Sequence, residues 1–186
     1  MKLSGIKIFI ASIVVTLLIS CASTRTVNYQ FNQKYPAEKL KADVVLLKKI
    51  LEANHPSLYW YTTKDSFNTR FNTVLNSITD SLTEVQFRNR IAYALSIIHC
   101  GHTSVRFSKQ YTKLASTHIY PAFPLSIKIW PDSMVVIGNL FAGKSVLKAG
   151  TVITSINGKN IETITTAMFP YINTDGYATN YKYPGY

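Results

Sequence analysis

The sequence predicts an α+β chain in which a unit of three helices precedes a small β-rich module. Three observations predict it. Between residues 37 and 100, apolar side chains recur at spacings of three and four in three separate stretches, each tracing one face of a helix. After Thr103 the apolar period changes to two. Further on, Asn157-Gly158 stands between two short apolar segments, a strong short-range hairpin signal.

Taken in order, residues 1–20 have the form of a leader. Lys2 and Lys7 make a short basic start, and Ile8 to Ile19 is apolar except for Ser12 and Thr16. That run is too short and too early for a comfortable membrane span and reads as a signal peptide. It ends in Leu18-Ile19-Ser20-Cys21, which resembles a bacterial lipobox, so Cys21 is the expected lipidation site. A plain secretory leader with an incidental cysteine, or an uncleaved anchor, is the alternative. Residues 21–36 are polar and without period, as a tether would be.

The first helix starts after Pro36, a residue suited to a first turn. Its stripe is Leu40, Val44, Leu47 and Leu51, and Asn54 and Pro56 end it. The second is expected from Lys64 to Ile78, with Phe67, Phe71, Val74 and Ile78 inside. The third opens on Thr83-Glu84-Val85-Gln86, a capping box in which Gln86 reaches back to the cap. Phe87, Ile91, Leu95 and Ile98 give its buried face, and Gly101 fits a left-handed terminus. The helical unit is thus expected over 37–103.

Alternation of Val105 and Phe107 predicts a connecting strand or loop over 104–117. The β-rich module is expected over 118–168. Leu125, Ile127 and Ile129 alternate along one strand, "SMVVI" makes another, and "TVITSINGKNI" carries the hairpin. "ETITTAMFPYI" reads as a helix that Pro170 ends or kinks. Residues 169–186 read as the start of a linker.

Composition bounds the function classes. With 47% hydrophobic residues, the 186-residue chain can form a real core. Once Cys21 is lipidated, Cys100 is the lone remaining thiol, and no internal disulfide is possible. The net charge of +11 could suggest nucleic acid, but the basic residues are scattered and an exported lipoprotein rarely meets it. A solvated basic surface, or contact with anionic lipid or acidic polymer, is the preferred reading. No nucleic-acid partner and no cofactor are expected.

Three motifs carry chemistry. Gly138 to Ser145 matches the P-loop pattern after a strand, but Gly150 and a strand at Thr151 leave no room for the helix whose N-terminus would complete the anion site. We read the match as accidental and expect no nucleotide. His99-Cys100-Gly101-His102 offers N, S and N donors, yet there is no second cluster to complete a zinc shell, so no metal is expected. A catalytic role for His102 is better founded. It lies where a helical pattern gives way to a strand-like one, and a histidine so placed could serve as general base. From the residues alone it has no partner, because no serine here sits in a Gly-rich elbow.

Several segments together resemble one family, the bacterial tail-specific (C-terminal processing) serine peptidases. "VVLLKKILEANHPSLYWYTTKDSF" is similar to their opening helical segment, with His55, Pro56, Leu58 and Tyr59 matching a His-Pro-x-Leu-Tyr stretch. "CGHTSV" resembles the Gly-His-Thr that closes that unit. "FPLSIKI", "MVVIG" and "LKAGTVITSINGKNI" look like the PDZ-like domain that follows, and "INTDGYATNYKY" resembles the connection leaving it.

The resemblance implies a lipid-anchored envelope protein, facing the periplasm, whose polypeptide substrate is cleaved by acyl transfer. It implies an α/β catalytic domain, absent from this chain, that carries the nucleophile, so these residues alone should be inactive. In the tricorn-like branch a histidine ahead of the PDZ-like domain is the base, and His102 matches that position; other branches use a Ser-Lys pair. Peptide C-termini would be held by Phe123, Pro124, Leu125, Ser126 and Ile127. Pro124 lacks an N–H and Thr151 stands where the family usually has Asp, so the module departs from ordinary carboxylate capture. The alternative is a lipid-anchored, PDZ-like peptide-binding adaptor with no enzymatic activity.

Overall fold

The computed structural model describes residues 28–118, 123–140 and 147–183, a mixed arrangement of helices and small sheets. Residues 1–27, including Cys21 and the leader, lie outside the described residues, as do 119–122 and 141–146. No helix among the described residues is long and apolar enough to cross a membrane.

The first helix, α1, spans Ala37–Asn54, with Pro36 as its extended cap. The second, α2, spans Lys64–Ser77; the Thr63 hydroxyl accepts from the Ser66 N–H. The third, α3, spans Glu84–Leu95, and both halves of its capping box form: Thr83 accepts from the Gln86 N–H, and Gln86 accepts from the Thr83 N–H. Each satisfies a backbone donor that the helix start would otherwise strand. The three stripes meet in one core. Leu40, Val44, Leu51, Phe67, Phe71, Val74, Ile78, Ile91, Leu95 and Ile98 are all buried in it. The Phe67 and Phe71 rings, one turn apart, sit 4.5 Å centre to centre with no solvent exposure. Side chains of this size contribute about 1.5–3 kcal/mol each on burial.

The entry to α1 is not a tether. Tyr29 is buried, and its hydroxyl donates to Glu84 Oε2 at 2.8 Å. Strand β1 (Lys34–Tyr35) pairs antiparallel with β2 (Leu82–Thr83). Residues from Tyr29 onward therefore belong to the helical half. Polar composition concealed this, because three aromatic rings among the polar residues supply the anchoring.

Of the strand or loop expected over 104–117, the loop forms at Val105 and Phe107. Val105 is half-buried against the helical core and Phe107 is half-buried too, so the alternation reports burial, but no strand among the described residues pairs with it. A short helix, α4 (Lys109–Ala115), follows instead, with the Ser108 hydroxyl accepting from the Tyr111 N–H. The Ser108 N–H and hydroxyl both donate to the Glu84 carboxylate, at 2.6 and 2.8 Å. Glu84 thereby ties the start of α3 to Tyr29 and to the cap of α4.

The second half holds a three-stranded antiparallel sheet of β3 (Leu125–Ile129), β4 (Met134–Asn139) and β5 (Val152–Ile153), in that spatial order. A bulge interrupts β3 between Ser126 and Ile127. Strands β6 (Ser155–Ile156) and β7 (Lys159–Asn160) form the predicted hairpin, with Asn157 and Gly158 at φ 50° and 76°. Both central residues of such a turn need positive φ, which Asn and Gly adopt readily. Helix α5 (Ile161–Met168) follows and continues into a 3-10 turn, Phe169–Tyr171, that contains Pro170. Ile161, Met134 and Val136 are buried, a smaller core than that of the helical half.

Candidate functional site

The turn after α3 is where the chemistry-bearing residues gather. A 3-10 turn, Ser96–Ile98, ends the helix, and His99 then takes the left-handed conformation at φ 55°. Gly101 does not supply that terminus, as its position in the sequence suggested. Its lack of a side chain serves another need. A Cβ at Gly101 would lie 2.9 Å from Asp175 Oδ1, and the Gly101 N–H donates to that same oxygen at 2.6 Å. The glycine is required by the close approach of Asp175.

A strap running from Pro170 to Tyr177 holds this turn at successive points. The buried Ser96 hydroxyl has a single proton and lies 2.6 Å from the Pro170 carbonyl, closer than the Tyr93 carbonyl at 3.1 Å. Asn173 Nδ2 donates to the Thr103 carbonyl, and the Gly176 N–H donates to the His99 carbonyl at 2.9 Å. The Tyr177 ring packs on the His99 ring at 5.4 Å and on Tyr61 at 5.7 Å. Asn173 Oδ1 is buried and has no hydrogen-bond partner among the described residues.

His55 also reaches the turn. The Ser57 N–H donates to His55 Nδ1 at 3.3 Å, so that nitrogen is the acceptor and the proton sits on Nε2. Nε2 then donates to the Thr103 hydroxyl at 2.8 Å. The side chain of His102 is exposed, and the Thr103 N–H closes the turn onto the Cys100 carbonyl. Its neighbours Gly101 and Thr103 are each pinned, which fixes the backbone that carries it. Burial is the main cause lowering the pKa of His99; a hydrogen bond with the Gly176 backbone opposes it, and the charges of Lys182 and Arg70 add to the lowering.

Among the possible zinc donors, His99, Cys100 and His118 have other neighbours. His99 lies tilted against Tyr177, Cys100 packs partly buried against the helical core, and His118 lies far along the chain, its ring 5.2 Å from that of Phe31. The P-loop-like segment keeps Gly138 in β4, while its residues 141–146 lie outside the described residues.

The peptide-holding residues fall on and before β3. Phe123 is 46% exposed, Pro124 is exposed, and Leu125, Ser126 and Ile127 are half-buried. β3 pairs with β4 along one side and is an edge strand of its sheet among the described residues. The Pro124 carbonyl accepts from the Leu140 N–H. Ala122 lies outside the described residues.

Sequence reasoning singled out His102 but missed Asn173, Asp175 and Tyr177, which set the shape of its turn. The signal available was Asp175-Gly176, a turn pair like Asn157-Gly158. The pair indicates a reversal and says nothing about which distant loop the reversal meets. Compared with family models, with curated proteins and with solved structures, the chain matches none.

Proposed function

We propose that this chain is the N-terminal portion of an envelope serine endopeptidase of the tail-specific type, anchored by lipid on Cys21, with a PDZ-like module over 118–168. In this reading His102 is the general base. The nucleophilic serine and oxyanion hole come from an α/β domain outside these 186 residues. The acyl-transfer step needs a base fixed relative to the hydroxyl it deprotonates, and a short turn pinned on both flanks provides that.

One observation carries the proposal. Three segments far apart in sequence, each similar to a part of that family, converge on the same turn: His55 bonds Thr103, Thr103 bonds Asn173, and Asp175 bonds Gly101. Those contacts engage the neighbours of His102 on both sides, and its side chain is exposed.

The test is proteolysis by the protein extracted from its native membrane, with its intact mass measured alongside. A mass well above 20.9 kDa is expected, together with cleavage of unfolded casein. His102→Ala should then lower kcat about a hundredfold or more while leaving the thermal midpoint unchanged. Full activity in His102→Ala would refute the base assignment.

The edge position of β3 favours the second reading, a lipid-anchored adaptor that binds peptides by strand addition. A native mass near that of this sequence, with peptide binding and no cleavage, would establish it in place of the first.

A further inference from the structure

We propose that a groove between α2, α3 and the segment 168–172 is a second peptide site, separate from β3, that takes a carboxylate-bearing chain with Arg90 as its anion anchor. The choice of a peptide as ligand rests on the polypeptide-handling function proposed above. The groove itself is built from other observations.

Two adjoining cavities, of about 420 and about 450 Å³, share Asn89, Arg90 and Tyr171. Together they are large enough for several residues of extended chain. Tyr93 and Tyr171 form one wall, their rings 5.6 Å apart. At the other end Met168 and Tyr171 remain 51% and 49% exposed, large side chains left open beside the groove.

Charge selects the ligand. Among the described residues no acidic side chain lines either cavity, and Arg90 is the cation in both. Three arginines lie on α2 and α3, and they differ in what occupies them. Arg70 sits 3.9 Å over the Tyr93 ring and donates to the Tyr93 carbonyl at 2.8 Å. Arg88 lies 4.6 Å over the Phe107 ring. Arg90 is held by three hydrogen bonds, from Nε to the Ser77 hydroxyl at 3.2 Å, from Nη1 to the Gln86 carbonyl at 3.3 Å and from Nη2 to the Ser77 carbonyl at 3.5 Å, which leave a second N–H on each of Nη1 and Nη2. Those contacts orient the guanidinium without saturating its donors. A planar fork so held matches a carboxylate in two-point geometry. The hydroxyls of Thr73 and Ser77 and the Asn89 amide are neutral, so one guanidinium balances a monoanion; a phosphate dianion would be left half-compensated.

The test uses the full chain in detergent micelles and titration calorimetry with two peptides. One is Ac-Ala-Leu-Ala-Leu-Ala with a free C-terminal carboxylate, and the other is its C-terminal amide. Binding of the acid, with the amide roughly tenfold weaker or worse, is expected. Arg90→Met should abolish that preference, and Arg90→Lys should keep part of it. Met168→Glu alters an exposed side chain at the mouth, so it tests the groove without depending on the fold around Arg90; it should weaken the acid by a similar factor. An acid preference that survives both Arg90→Met and Met168→Glu would overturn the groove. Equal affinity for acid and amide, or no binding of either, would also overturn it. The protease reading stands apart from all these outcomes, because it is decided by His102→Ala.

Discussion

Replacing Gly101 by alanine should reverse its effect on stability according to what stands at position 175. In the native background the new Cβ would lie 2.9 Å from Asp175 Oδ1 and 3.1 Å from its Cγ and Oδ2. Real Cβ atoms do not approach so closely, so the carboxylate must swing away and the 2.6 Å bond from the Gly101 N–H must break. A hydrogen bond to a charged group is worth about 1.5–3 kcal/mol, and exposure of both residues reduces that to about 1 kcal/mol here. The backbone of Gly101 itself raises no objection to alanine, since its φ is not in the left-handed region.

Once Asp175→Ala removes the obstacle, the same substitution should stabilise by about 0.4–1 kcal/mol, because alanine restricts the unfolded chain. That gain is present in both backgrounds and cancels in a double-mutant cycle, so the predicted coupling is the lost hydrogen bond, about 1 kcal/mol. Urea titrations followed by the fluorescence of Trp60 and Trp130 would measure it, and thermal midpoints should move by about 2–4 °C per kcal/mol for a chain of this length. Equal cost of Gly101→Ala in both backgrounds would refute the reasoning. The strap would then not be what requires a glycine.

Three other perturbations have defined outcomes. Phe71→Ala opens a hole at a fully buried position and should cost about 3–5 kcal/mol in chemical denaturation. Glu84→Ala strands the Tyr29 hydroxyl and both Ser108 donors; it should cost about 2 kcal/mol and raise hydrogen exchange in residues 29–35 and 108–115 together, whereas Tyr29→Phe should affect mainly the first segment. The pKa of His99 is lowered in the fold, so the unfolded chain binds its proton more readily. Its contribution to stability is therefore present above the unfolded value of about 6.5 and is lost as pH falls through the lower folded value. Denaturation midpoints between pH 8 and pH 5 should fall in the native protein, and His99→Asn, which tolerates the left-handed backbone, should flatten that slope.

The sequence by itself determined the helical half and the hairpin. Those features are local: the stripe of Phe67, Phe71, Val74 and Ile78, the Thr83–Gln86 box and the Asn157-Gly158 turn are each set by residues within a few positions of one another. Local periodicity could not tell that Val105 and Phe107 lack a strand to pair with, because pairing depends on a neighbour. Nor could it show that His99, with a small but real steric cost, makes the left-handed turn while Gly101 yields space to Asp175. The tertiary structure decided the surroundings of His102 and the groove at Arg90. His55 and Thr103 lie 48 positions apart, and Gly101 and Asp175 lie 74 apart. Contacts over such separations arise only when packing of the apolar cores brings the loops together, and no spacing rule in the chain encodes which loops will meet.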